Sequence, residues 1–210
     1  LTDYLIKKSI TVSKLITCCG LYSDDIVRKS GMKTDIRILP VRGEYRYINT
    51  SININTNIYP VPNLEFPFLG VHITPTMNGK TLLGPNAILA FSKEGYKYYN
   101  ISLFEMYNYI LFEGFYSLIK KYYSFGLHEF YYSITNKIDK LQNFINLSSN
   151  DLSNQYYSGV RAQAIDKNGN FVEDFVLVQD HNILHVVNAP SPGATSCLAI
   201  AELICDKISD

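Results

Sequence analysis

Between residues 102 and 122 the apolar side chains Leu103, Met106, Tyr107, Ile110, Leu111, Phe115 and Leu118 return at helical spacing. A second helical stretch is read from about Glu129 to Phe144, and the pair is expected to pack on one face of a sheet. That sheet is predicted from extended segments: Arg37 to Asn49 with Gly43 inside it, Ile58 to Val61, Phe68 to Thr74 and Lys80 to Leu83. The last two flank Asn78-Gly79, whose tolerance of positive φ predicts a hairpin. Nearer the start, Ser13 to Cys19 reads as a short buried strand that stops at Gly20. Ser23-Asp24-Asp25 then opens an acidic helix ending near Gly31. A strand feeding a helix through glycine suggests an α/β layer.

In the second half, the Ser/Asn-rich run Asn146 to Tyr157 is expected to be a loop. Gly159 to Ile165 and Phe171 to Val178 read as extended segments joined by a hairpin turn, Asp166-Lys167-Asn168-Gly169-Asn170. Ile183 to Val187, apolar around His185, is a buried strand, and Ala194 to Ile208 reads as a helix of small and apolar residues.

Charge narrows the partners. Nineteen Lys and Arg balance nineteen Asp and Glu in 210 residues, so there is no basic excess for nucleic acid or for a polybasic membrane contact. Glu105 and Glu113 interrupt the most apolar stretch, Ile101 to Ile119, so no transmembrane segment is expected. The twelve glycines include no two closer than five residues, so the G-x-G of a dinucleotide fingerprint is absent. Gly79 and Gly84 have the separation of a phosphate loop, but Pro85-Asn86 stands where Lys-Ser/Thr is needed. Cys18-Cys19 are adjacent and far from Cys197 and Cys205, which points to reduced thiols rather than a zinc site or a disulfide framework. The chain opens on Leu1 without a signal-like region and is read as a piece of something longer.

Three places could carry chemistry. Asn188 to Ser196 is a Pro/Gly loop that opens a helix, and such a loop presents backbone N–H groups and the positive end of the helix dipole; Ser191, Thr195 and Ser196 add hydroxyls. An ordinary capped strand-to-helix turn is the alternative. Arg161 alternates with apolar neighbours in a strand; its fork either meets Glu173 or Asp174 in the paired strand or grips a substrate carboxylate. His72 and His185 sit inside apolar strands, as satisfied core groups or as a catalytic base.

The order and wording of these pieces say more than each alone. Cys18-Cys19-Gly20-Leu21-Tyr22-Ser23-Asp24, Pro40-Val-Arg-Gly43-Glu-Tyr45, Ile58-Tyr-Pro-Val-Pro62 and Phe66-Pro-Phe-Leu-Gly-Val-His72-Ile-Thr-Pro75 come first. Leu83-Gly-Pro-Asn-Ala87, Gly159-Val-Arg-Ala-Gln163 and Asn188-Ala-Pro-Ser-Pro-Gly-Ala-Thr-Ser196 follow. Together the chain resembles the C-terminal half of the L-2-hydroxyglutarate dehydrogenases, a family of FAD-dependent oxidoreductases related to D-amino-acid oxidase. Cys19 and Gly193 each replace a common alanine of that family.

The resemblance implies an α+β and α/β fold: residues 1–35 as part of an FAD-binding Rossmann-like domain, 36–158 as a mixed-sheet substrate domain with two packing helices, and 159–210 returning to the FAD-binding domain. It implies oxidation of L-2-hydroxyglutarate to 2-oxoglutarate by hydride transfer to FAD, with the flavin pyrophosphate motif outside this chain, so that the chain alone is expected to be inactive. Arg161 matches the position that grips a carboxylate, with Tyr45 and Asn86 lining the pocket and His72 or His185 accepting the hydroxyl proton. Cys19, Gly20, Ser191, Pro192, Gly193, Ala194, Thr195 and Ser196 are the positions expected to meet the flavin. A small dicarboxylate and an electron acceptor are the implied partners, and mitochondria the implied compartment in a eukaryote. Two alternatives stay open: a related flavin enzyme acting on an amino acid or glycerol phosphate, and a cofactor-free interaction module.

Overall fold

In the computed structural model, which describes residues 9–49, 54–61, 70–135 and 147–209, the chain forms β1 (Leu15–Thr17), α1 (Ser23–Lys29), β2 (Arg37–Ile48), β3 (His72–Pro75), β4 (Thr81–Gly84) and β5 (Ile88–Leu89). It continues through α2 (Leu103–Ile110), α3 (Glu113–Thr135), β6 (Leu152–Ile165), β7 (Val176–Asp180), β8 (Ile183–Asn188) and α4 (Cys197–Ser209). This is the mixed α+β fold that the pattern predicts. The chain divides at 34/35 and at 173/174, so one unit is built from both ends and the other from the middle.

In the first unit β8 is the centre of a three-stranded sheet, parallel to β1 and antiparallel to β7. Its apolar residues on both sides of His185 reflect burial of the whole stretch Leu184 to Val187. Ile200, Ile204 and Ile208, four residues apart on α4, cover Leu177, Leu184 and Val186. The strand read at Ser13 to Cys19 shortens to Leu15–Thr17 and is not buried: Leu15 and Ile16 are each 42% exposed. α1 opens with Asp24 and Asp25 and closes with Arg28 and Lys29, the arrangement its dipole favours, and Arg28 pairs with both aspartates. α4 begins at Cys197 rather than Ala194, because residues 191–196 remain a turn that closes through Ser196 N–H to Pro192 O (3.1 Å).

The second unit is organised on β2. Its twelve residues pair antiparallel with β6 from Arg37↔Ile165 to Ile48↔Leu152. On its other edge β5 meets Val41 and Arg42, and β4 meets Arg46 to Ile48 and carries β3 beyond it. The Thr76–Gly79 turn is the predicted hairpin, with Gly79 at φ +72. Of Ile58 to Val61, only Ile58 forms a β-bridge, to Ile73; Pro62 to Phe68 lie outside the described residues, as do 136–144 of the second predicted helix.

Two expectations change here. The helix read across Ser102–Tyr122 breaks at Leu111-Phe112, and α3 then runs through the gap left before Glu129. The cause is the core it must serve. Tyr109, Phe112, Phe115 and Leu118 all pack with Leu39 and Ile165, yet Tyr109 and Leu118, nine residues apart at about 100° per residue, fall on opposite sides of a straight α-helix. The break returns them to one side. Gly114 sits at the join, where a Cβ would overlap the Asp166 carbonyl.

The run expected to be a loop, Asn146 to Tyr157, is strand from Leu152 onward, held by β2. For the same reason residues 159–173 stay with the middle unit. The hairpin turn forms, with Asp166 accepting from Asn168 N–H and Asn170 N–H and with Gly169 at φ +73. Its second arm pairs only at Ile165↔Phe171 before the chain crosses to β7, whose partner is β8. Glu173 and Asp174 are therefore not opposite Arg161, which faces Val41.

Candidate functional site

Antiparallel partners share a face of a sheet, and residues two apart along a strand do so as well. Register therefore assigns the polar residues of the middle unit to faces. His72 pairs with Gly84. A Cβ at Gly84 would lie 3.0 Å from Tyr45 Cα, and Tyr45 pairs with Tyr157. Along β6, Gly159 and Arg161 continue the face that Tyr157 begins. His72, Tyr45, Tyr157 and Arg161 thus stand on one face of one sheet.

The rest of the sheet is occupied. Toward Leu39 and Ile165 this same face is covered by α2 and α3. On the opposite face Ile48, Ile73 and Leu83 form a core with Ile54, Val71 and Leu147, and Ser158 Oγ donates to Tyr96 O (2.7 Å). Among the described residues, neither apolar cluster extends over the quadrant with the imidazole, the phenols and the guanidinium.

Each polar group there has a defined state. His72 Nδ1 lies 3.1 Å from Gly70 O; a carbonyl only accepts, so Nδ1 carries a proton and Nε2 is the nitrogen that presents a lone pair in the neutral ring. The ring rests on Tyr59, centroids 4.7 Å apart. Tyr45 has its phenol pKa raised, first by desolvation and then by the proximity of Tyr157 and Tyr59. It stays a hydrogen-bond donor at neutral pH. Arg161 is exposed by area, yet desolvation by the surrounding protein lowers its guanidinium pKa. An arginine remains charged through any modest reduction, and a partly desolvated cation attracts an anion more strongly than a fully hydrated one.

Asn86 has a different setting. Its Oδ1 accepts from Glu44 N–H (2.6 Å) and its Nδ2 donates to Glu44 Oε2 (3.0 Å). The Glu44 carboxylate also accepts from Tyr98 OH (2.8 Å) and from Arg42 Nε (3.1 Å), and Arg42 lies over the Tyr98 ring at 4.1 Å and donates to Gly95 O. Asn86 is buried, and its amide fastens the strand beside Tyr45 instead of lining the open face.

His185, in the first unit, is fully occupied. Thr17 Oγ1 lies 2.7 Å from Nδ1 and Ser30 Oγ 2.9 Å from Nε2. The Ser30 hydroxyl proton goes to Val27 O (2.7 Å), so Ser30 accepts from Nε2–H and Thr17 donates to Nδ1. Buried at 1% exposure, with its pKa lowered by desolvation, the ring is neutral and has no nitrogen left for a substrate proton. Of the two histidines considered as base, this one is a core group for that reason.

Also in the first unit, residues 191–196 form the turn before α4, whose first N–H groups have no acceptor within the helix. Gly193 is half-buried, and Ser191, Pro192, Ala194 and Thr195 are exposed. Cys19 precedes a single 3-10 turn, Gly20–Tyr22, in which Gly20 has φ +51 and nothing within 4 Å of where a Cβ would be. The N–H groups at the start of α4 and the bare backbone at Gly20 are chemically suited to the ring end of a large planar anion. Nothing in the sequence fits a pyrophosphate, since no G-x-G is present.

Sequence reasoning missed Tyr157, Tyr59 and the Gly70 carbonyl. Tyr157 was legible: residues 157, 159 and 161 alternate, which carries the strand back into the run assigned to a loop. No helix among the described residues is long and apolar enough to cross a membrane, and the four cysteines form no disulfide.

Known proteins agree with this architecture. The chain is 44% identical to the mitochondrial L-2-hydroxyglutarate dehydrogenase of Nematostella vectensis over 97% of its own length and 47% of that protein. To the human mitochondrial L-2-hydroxyglutarate dehydrogenase it is 43% identical over 96% of the chain and 45% of the relative. For the L-2-hydroxyglutarate dehydrogenase of Indibacter alkaliphilus the figures are 40%, 95% and 51%. The chain spans about half the length of the curated relatives it matches. In fold it is similar to the L-alpha-glycerophosphate oxidase of Mycoplasma pneumoniae, solved with FAD bound, at a TM-score of 0.62 and 21% identity over 99% of this chain and 46% of that one. Residues 4–207 match the FAD dependent oxidoreductase (DAO) family, and the chain belongs to that family.

Proposed function

We propose that this chain supplies the substrate-binding face and part of the flavin-binding surface of an enzyme that oxidises L-2-hydroxyglutarate to 2-oxoglutarate. The observation that carries the reading is that His72, Tyr45 and Arg161 share one open face. The names of its relatives supply the substrate.

When bound, FAD supplies the two-electron acceptor for the hydride leaving C2. The turn Ser191–Ser196 and the start of α4 would hold its ring end, with N–H groups and the helix dipole opposing the negative charge of reduction; Cys19-Gly20 would offer backbone without side-chain obstruction. His72 Nε2 accepts the C2 hydroxyl proton, and the Gly70 carbonyl holds the ring in the tautomer that leaves this nitrogen free to accept. Arg161 binds the remote carboxylate through its fork, and the neutral phenol of Tyr45 donates toward the substrate. Asn86 acts indirectly, by fixing Glu44 beside Tyr45.

The spacing supports a long substrate. With strands about 4.8 Å apart and about 3.4 Å per residue, His72 and Arg161 stand roughly 19 Å apart between Cα atoms on a flat sheet. Two extended side chains with a five-carbon dicarboxylate between them cover that span. Electrons leave to an acceptor that this chain does not identify, and the compartment proposed for a eukaryotic source is the mitochondrion named for several relatives.

The test is turnover by the FAD-loaded enzyme carrying this chain, followed with an artificial electron acceptor. L-2-hydroxyglutarate should be oxidised, and glycerol 3-phosphate and L-amino acids should not. Arg161→Met should lower kcat/KM by about 2–4 kcal/mol equivalent, chiefly through KM. No turnover of L-2-hydroxyglutarate sinks the reading.

A further inference from the structure

Gly159 lies inside a fourteen-residue strand, where glycine is a poor choice: it loses more chain entropy than any other residue and adds no side chain to the sheet. Such a residue needs a reason, and the two common reasons are absent. Its backbone does not have positive φ, unlike Gly79, Gly84 and Gly169. Nor is it crowded: among the described residues, a Cβ built there meets no atom within 4 Å. Its cross-strand partner Gly43 is the contrast, since a Cβ on Gly43 would come 2.8 Å from Pro85 Cβ and 3.3 Å from Asn86 O. Among the described residues, Gly43 is explained by packing and Gly159 is not.

The Cβ missing from Gly159 would point to the open face, between Tyr157 and Arg161, because side chains two apart lie together. Tyr157 is 60% exposed and Arg161 is exposed as well. The neighbouring backbone positions, Ser158 and Val160, face the other way, and Ser158 is tied there to Tyr96 O. A bare strip of strand therefore lies between a phenol and a guanidinium, beside Arg161 on the same face.

Resting on the function proposed above, we infer that Gly159 is the floor of the substrate site. The carbon chain of the dicarboxylate lies directly on the β6 backbone there, with its remote carboxylate at Arg161. A side chain at 159 would occupy the ligand's own volume, so this position sets the size of substrate that Arg161 can hold.

Gly159→Ala and Gly159→Val, made in the FAD-loaded enzyme, test this, with glutarate as a non-reacting probe of binding. Alanine and valine suit a strand better than glycine, so both variants should match or exceed the parent's Tm and keep its flavin spectrum. Glutarate should bind about tenfold more weakly to the alanine variant, the scale of one methylene's misfit in a pocket, and more weakly still to the valine variant. KM for L-2-hydroxyglutarate should rise in step. Gly43→Ala, by contrast, should lower Tm. Parental glutarate affinity in Gly159→Val overturns the inference while leaving the proposed function intact, and so does a Tm loss of several degrees in Gly159→Ala, which would assign the glycine to packing. A parent enzyme that neither binds glutarate nor oxidises L-2-hydroxyglutarate overturns the functional reading and this inference with it.

Discussion

Ser30 Oγ stands 2.9 Å from His185 Nε2 across 155 residues of chain, and the direction of that hydrogen bond places the proton of the buried, neutral imidazole on Nε2. Its proton chemistry is then a property of folding. Burial lowers the folded-state pKa, so the unfolded chain takes up a proton at about pH 6.5 while the folded chain resists it. The contribution to stability is complete above that pH and is lost as pH falls below it, by up to about 1.4 kcal/mol per pH unit for one proton. Denaturation of the enzyme at pH 7.5 and at pH 5.5 should show this loss. His185→Gln, which keeps a donor and an acceptor but cannot titrate, should reduce the difference between the two.

For His72 the expected effect is kinetic. His72→Asn should lower kcat by roughly 10²- to 10⁴-fold, the usual range for a positioned general base, with little change in glutarate affinity. A variant with parental kcat would show that the base lies elsewhere.

The Arg42–Glu44 pair is almost wholly buried, at 3% and 8% exposure of the side chains. Removing one partner strands the other: Glu44→Ala should cost about 3–5 kcal/mol in urea denaturation, and Asn86→Ala about 1–3 kcal/mol. The double variant Arg42→Met/Glu44→Met should recover most of the loss, because no charge is then left buried. If Glu44→Ala is neutral, the network does not hold the strand.

Gly79 and Gly169 share nearly the same left-handed backbone, φ +72 and +73, and differ in their surroundings. A Cβ at Gly79 meets open space, whereas one at Gly169 would overlap Leu118 N and approach Gly114 O to 2.7 Å. Gly79→Ala should therefore cost only the conformational penalty, about 1–2 kcal/mol. Gly169→Ala should cost clearly more, measured by the same denaturation, since it also lifts α3 off the turn.

What could be read from the residues alone follows the range of the forces involved. The Asn78-Gly79 turn, α1 with its charged ends and the buried run of β8 depend on neighbours in sequence, and they formed where the pattern put them. The helix break at Leu111-Phe112 depends on the sheet that Tyr109 and Leu118 must both reach. The strand at Leu152 depends on β2, a partner more than a hundred residues away, which overrides its Ser/Asn-rich composition. The site divides the same way. His72, Tyr45 and Arg161 were identified by residue type and family wording, but their common face comes from register. The choice between His72 and His185 needed Ser30, Thr17 and Gly70, none of which has a sequence signature.

The parallel pairing of β1 with β8 also sets a timetable. Thr17 leaves the ribosome first of the two, and its partner His185 follows 168 residues later. At about 5–20 residues per second, β1 must wait roughly 10–30 s for the strand that completes its edge. β6, the partner of β2, is synthesised before β8. Through that interval an exposed Leu15-Ile16 edge is a template for wrong pairing. Premature termination anywhere between Glu173 and Ile183 would make that interval permanent, so such truncations should accumulate as chaperone-bound or aggregated chains even though every residue of the substrate face has been synthesised.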